Sequence, residues 1–95
     1  MKIYISGQIT GIENEAEKLF NEAEKRLKRK GYEVINPMKL PHEHDGAWHS
    51  FMQEDIHTLL MCDEVYMLRN WVDSKDAKLK HDIAVNNGLR VIYEN

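Results

Sequence analysis

The chain opens on Lys2-Ile3-Tyr4-Ile5-Ser6, a β-branched and aromatic run without a polar gap, and this pattern predicts a buried strand. Gly7-Gln8-Ile9-Thr10-Gly11 follows as a glycine-bracketed turn. From Ile12 the apolar positions change period: Ala16, Leu19, Phe20, Ala23 and Leu27 recur at helical spacing until Gly31 supplies a C-terminal stop. The outer face of this helix carries Glu22/Arg26 and Glu24/Lys28 in acid-before-base order, the pattern of a solvated surface. Glu33 to Asn36 reads as a second strand closed by Pro37, and a polar loop runs from Met38 to Gly46. A second helix starts near Ala47, with Trp48, Phe51, Met52, Ile56, Leu59 and Leu60 on one side. Asp63 to Leu68 is a third strand, Asn70 to Lys75 a loop, Ala77 to Asn87 a third helix before Gly88, and Arg90 to Tyr93 a fourth strand.

A helix between successive strands makes them parallel neighbours joined by right-handed crossovers. The fold class that follows is α/β: a doubly wound, Rossmann-like or flavodoxin-like parallel sheet of four strands in the order 2-1-3-4 with three helices. One domain accounts for residues 1–95. The order places a topological switch between the first and third strands, and open sheets bind ligands in the crevice there. Three segments converge on it: the turn Gly7 to Gly11, the segment Arg69 to Lys75, and the start of the third helix.

Composition narrows the partners. Lysine and arginine total 13 against 16 aspartates and glutamates, with a pI near 5.9, so no basic footprint for nucleic acid exists. Cys62 is the only cysteine, which excludes an internal disulfide. Without a secretory leader or an apolar run of about 18 residues, the expectation is a cytoplasmic protein with no membrane association. A core this small gains from burying a face against a copy of itself, so a homo-oligomer is expected.

Two charges fall where apolar residues belong. At helical spacing, Asp55 lies inside the arc of Trp48, Phe51, Met52 and Leu59, either as a hydrogen-bonded acid at the edge of the core or as a carboxylate in a cleft. Lys80 lies in the arc of Ala77, Leu79, Ile83 and Ala84, either snorkelling outward or facing the same crevice. An Asp55/Lys80 ion pair would satisfy both. The glycine turn likewise has two readings, ligand contact or a plain strand-to-helix bend. Trp71 after the third strand either stacks on a base or packs as an aromatic lid on its own domain or at a subunit contact. His42-Glu43-His44-Asp45, with His49 beyond, has metal-binding residue types, but its spacing reads as a polar loop over the site, so no metal and no cofactor are expected.

Tyr4 to Gly11, then Asp55-Ile56 leading to Cys62-Asp63, then Trp71, Ser74 and the helix from Ala77 to Ala84 together resemble the nucleoside 2-deoxyribosyltransferase superfamily. The resemblance is to its branch of short bacterial and phage proteins, with 2′-deoxynucleoside 5′-phosphate N-hydrolases as relatives. It implies cleavage of an N-glycosidic bond by a glutamate that attacks the sugar C1 and forms a glycosyl ester, later passed to a base or to water. By motif match it assigns Tyr4 and Asp55 to orienting and protonating around the nucleophile. Ser74 is matched to phosphate contact, and Gly7, Gln8, Ile9 and Gly11 to the loop around sugar or phosphate.

Three positions depart from that pattern. Lys80 stands six residues after Ser74, where the nucleophilic glutamate is expected; Asp76 replaces a glycine; and Thr10 replaces an arginine of the phosphate hydrolases. An ammonium has no lone pair with which to attack C1. The reading is therefore a nucleoside- or nucleotide-binding protein, a sensor or a sequestering protein, with ligand contacts at Gly7, Gln8, Ile9, Gly11, Trp71, Ser74, Asp76 and Lys80. One alternative is an active N-glycosidase or deoxyribosyltransferase that uses a displaced acid, Asp76 or Glu64. Another is a structural oligomer whose crevice is filled by its own side chains.

Overall fold

The computed structural model describes residues 1–40 and 48–95. Four strands form one parallel sheet: β1 (Lys2–Ser6), β2 (Glu33–Ile35), β3 (Glu64–Met67) and β4 (Arg90–Tyr93), in the order β2-β1-β3-β4. Three helices cross between them, α1 (Glu13–Arg29), α2 (Trp48–Leu60) and α3 (Lys75–Asn86). Tyr4 pairs with Ile35 on one side and Val65 on the other, and Val65 pairs with Val91, so β1 and β3 form the centre of the sheet. The expected α/β architecture and strand order are those observed.

Side chains alternate across a strand, and the two faces of β1 meet different layers. Ile3 and Ile5 pack against Ala16, Phe20, Ala23 and Leu27 of α1. Tyr4, with Val65 and Met67 of β3, packs against Leu59 of α2 and Ala77 and Ala84 of α3. The small Ala77 and Ala84 let α3 lie close over the sheet, and the face they share carries Tyr4 upward into the site.

Several local expectations change. Glu24 is not on a solvated face: it is buried, and its carboxylate binds Lys28 at 2.7 Å, Lys39 at 3.0 Å and the Asn36 amide at 3.0 Å. Burial pushes its carboxyl up, yet hydrogen bonds from Lys28, Asn36 and Lys39 overcome this and lower it to about 2. Arg26 reaches Glu94 beyond β4 at 2.6 Å. The first part of the expected Met38 to Gly46 loop is a 3₁₀ turn, Pro37–Lys39, started by the Asn36 side chain accepting from the Met38 N–H. The His42 to Asp45 cluster lies outside the described residues.

The chain after β3 is also more ordered than a loop: Arg69–Asp73 is a 3₁₀ turn. α3 begins two residues before Ala77, because Ser74 caps it by accepting from the Ala77 N–H at 3.1 Å. Leu79 is 39% exposed and so lies off the inner face of α3, while Phe51 at 39% and Leu60 at 44% stand at the margins of α2.

Candidate functional site

β1 ends where α1 has yet to begin, and Gly7 makes the bend possible by having no side chain. A Cβ there would fall 2.8 Å from both Cβ and Cδ1 of Leu68 and 3.0 Å from the Asn70 side-chain oxygen. The backbone can therefore lie directly against the segment after β3, where the Gln8 N–H donates to Asn70 Oδ1 at 3.1 Å. Gly11 closes the turn with φ +91°, a left-handed conformation suited to glycine, and its N–H donates to the Glu13 carboxylate.

Beneath this turn, α2 and α3 bring two buried charges together. Lys80 Nζ lies 3.1 Å from Asp55 Oδ2, and the two residues are only 5% and 8% exposed. The same ammonium donates to the Tyr4 hydroxyl at 3.2 Å and sits 5.4 Å from the centre of the tyrosine ring. Burial first, then the negative charge of Asp55, hold the Tyr4 phenol well above its ordinary range, so it stays neutral. Burial likewise pushes the Cys62 thiol up to about 11.

These groups border a cavity of about 250 Å³. Gly7, Ile9 and Thr10 form its roof, Phe51, Met52 and Asp55 of α2 one wall, and Ser74, Asp76 and Lys80 the other. A more open hollow of about 320 Å³ adjoins it, lined by Gln8, Thr10, Asp73, Ser74, Lys75 and Asp76. The α2 wall is thus apolar apart from the Asp55 carboxylate, and the other presents a hydroxyl, a carboxylate and an ammonium. Such a mixture suits a small ligand with a flat apolar part and several hydroxyl groups.

The sequence-predicted residues divide accordingly. Gly7, Ile9, Asp55, Ser74, Asp76 and Lys80 line the cavity, Gln8 lines the adjoining hollow, and Tyr4 lies beneath, touching the cavity through Lys80. Gly11 ends the turn away from this lining. Trp71 is engaged elsewhere: its ring stacks on His81 at 4.4 Å and leans on Tyr93 at 5.9 Å. Trp71 is outside the lining of both hollows, whose apolar side chains on α2 are Phe51 and Met52, two residues that the helical pattern assigns to the core side of α2.

Glu64 is distant from this chemistry. It starts β3, at the end of the sheet opposite the cavity, and alternation with Val65 and Met67 turns it to the α1 face. Its Oε2 has no hydrogen bond and lies 3.6 Å from Arg90 Nε. Its part as a displaced nucleophile is ruled out by that position. Among the described residues no group of three or more His, Cys, Asp or Glu could hold a metal ion, and no helix is long and apolar enough to cross a membrane.

Residues 1–93 match the sequence model of the family described as Domain of unknown function (DUF4406). The chain belongs to that family. No curated protein matches it. Among solved structures, the 2-deoxyribosyltransferase of Bacillus psychrosaccharolyticus is similar with a TM-score of 0.75 at 20% identity, over 98% of this chain and 71% of that one. The 2-desoxiribosyltransferase of Leishmania mexicana gives 0.74 at 16% identity, over 97% of this chain and 62% of that enzyme, so the DUF4406 chain spans less than two thirds of its length. The fold of this DUF4406 protein is therefore that of the 2-deoxyribosyltransferases.

Proposed function

We propose that this DUF4406 protein binds a nucleoside- or nucleotide-type small molecule in the cavity beneath the Gly7 turn, without the glycosyl transfer of its fold relatives. The observation that carries the reading is the Lys80–Asp55 pair, buried yet lining a cavity at the carboxyl ends of β1 and β3. A polar pair that served folding alone would have no need of an adjoining cavity with an apolar wall. Phe51, Met52 and Ile9 suit the face of a base, and the sugar hydroxyls fit the acceptor Asp55, the hydroxyl of Ser74 and the remaining N–H of Lys80.

Loss of the chemistry rests on Lys80. An ammonium held by a carboxylate at 3.1 Å has no electron pair to offer a sugar carbon. The kinship to deoxynucleoside 5′-phosphate N-hydrolases and a role as sensor or sequestering protein belong to the same reading. Self-association also belongs to it, supported by the exposed Val72, Leu79, Val85 and Tyr93 around α3 and β4.

Calorimetry with a panel of deoxynucleosides and their 5′-phosphates is the test, run on the wild type and Lys80→Ala. Binding by the wild type that weakens in the variant supports the reading, and no binding by either removes it. Incubation with the same compounds should release no free base; release at catalytic rates would favour the alternative of an active N-glycosidase working through Asp76, the remaining cavity-lining acid outside the ion pair.

A further inference from the structure

β4 stands at one end of the strand order, so one of its backbone edges has no neighbouring strand among the described residues. The Arg90 N–H donates to the Asp63 carbonyl at 3.2 Å and the Glu94 N–H to the Met67 carbonyl at 2.9 Å. Backbone groups alternate in direction along a strand. Arg90, Ile92 and Glu94 therefore turn their N–H and C=O groups to β3, while Val91 and Tyr93 turn theirs outward. An edge of this kind is a template for another strand.

The side chains flanking the edge show what fits it. On the α1 face, alternation places the exposed Arg90, Ile92 and Glu94, and Glu94 is held by Arg26 at 2.6 Å and by the Arg69 N–H at 2.8 Å. On the α3 face, Val91 packs with the core beside Ala84. Tyr93 is half exposed yet fixed in place: His81 Nε2 lies 2.7 Å from its hydroxyl, and the Trp71 ring leans on it at 5.9 Å. Val85, one turn of α3 beyond His81, is exposed on the same flank of that helix.

We infer that the free edge of β4 joins two copies of this chain, antiparallel about a two-fold axis through Ile92. The inference rests on the reading of the protein as self-associating and says through which surface and in which register. Outward-facing residues meet across the axis only when it passes through a residue of the strand. An axis at Arg90 opposes like charges; one at Val91 sets Arg90 against the partner's Ile92; one at Tyr93 sets Glu94 there. The axis at Ile92 opposes Ile92 to itself and Arg90 to the partner's Glu94, a favourable pair of opposite charges made twice. Glu94 can accept the added guanidinium, because a carboxylate has lone pairs beyond the two donors it already holds. In this register Val91 and the partner's Tyr93 exchange both of their backbone hydrogen bonds, and on the α3 face the fixed tyrosine ring lies across that valine. The two sheets then run on as one.

Sedimentation equilibrium tests the dimer, with each variant first checked for native circular dichroism. The wild type should give twice the 11.2 kDa of the chain. Val91→Pro removes an outward N–H that no strand of the chain uses, and should weaken the dimer on the order of tenfold or more. Tyr93→Ser, a second variant in case the first misfolds, should weaken it without altering the backbone. Ile92→Cys reads the register: the residue faces its own copy at about 4.5 Å between Cα atoms, inside the span of a disulfide, so mild oxidation should link the copies covalently. The wild type, whose Cys62 is buried, should not link. A dimer untouched by Val91→Pro and Tyr93→Ser, or one that Ile92→Cys does not link, overturns the inference and leaves self-association standing through another surface. A monomeric wild type overturns both, including the case in which the edge serves a strand of a different protein, and leaves the ligand site to its own calorimetry.

Discussion

Removing one partner of the Lys80–Asp55 pair should destabilise the protein far more than removing both. Asp55→Leu leaves an ammonium that is 5% exposed, with the neutral Tyr4 hydroxyl as its remaining partner at 3.2 Å. Stranding a buried charge in this way costs about 3–5 kcal/mol, a large share of the ~5–15 kcal/mol that holds a small domain together. At roughly 4–8 °C per kcal/mol for a chain of this size, the midpoint should fall by about 12 °C or more. Lys80→Met takes the ammonium away from the buried Asp55 carboxylate and should also destabilise the protein. The double variant Asp55→Leu/Lys80→Met replaces both charges by hydrocarbon of comparable volume and should return to within about 1 kcal/mol of the wild type. Urea unfolding of the four proteins completes the cycle, with unchanged slopes certifying that the midpoints report stability. Single variants that each cost less than about 1 kcal/mol, with a double variant equal to their sum, would refute the buried-pair argument.

Other outcomes follow from the same geometry. Gly7→Ala forces a methyl to within 2.8 Å of Leu68 and should cost about 1–3 kcal/mol in thermal unfolding, with reduced ligand binding. Glu24 should give stability that is present above pH 4.5 and disappears as the pH falls toward 2: burial raises its carboxyl, but the bonds from Lys28, Asn36 and Lys39 hold it at about 2. Glu24→Gln should therefore lose about 2 kcal/mol at pH 7 and little at pH 2, read from denaturant midpoints at the two values. Cys62, buried and pushed up to about 11, should react with a thiol reagent at pH 7 far more slowly than a free cysteine, and rapidly once urea unfolds the chain.

The strand order was legible because hydrophobic period alone separates strands from helices, and the alternation leaves few ways to close the sheet. Asp55 and Lys80 were legible for a related reason: each is a charge set in an arc of apolar side chains, and the shared solution is an ion pair. Hydrophobicity names a residue type rather than a direction, however, so Leu79 and Phe51 were placed inward although packing leaves them at helix margins. Glu24 was read as a surface acid because Lys28 is its only partner on the same helix; Asn36 and Lys39 reach it from beyond β2. Trp71 could not be placed without the turn of α3 that sets His81 under its ring. The start of α3 was missed because two charged residues follow the Ser74 cap before the apolar rhythm resumes.

The contact between Gly7 and the chain following β3 has a mechanical result. Leu68 presses where a Cβ would be, and Asn70 holds the next backbone amide, so the two segments behave as one rigid piece rather than as separate flaps. Leu68 also belongs to the core on the α1 side. A molecule seated in the proposed site that pushes on its ceiling would therefore push, through that leucine, on the opposite layer of the protein. Occupancy should be felt as slower amide exchange in β1 and β3, at a distance from anything the guest touches.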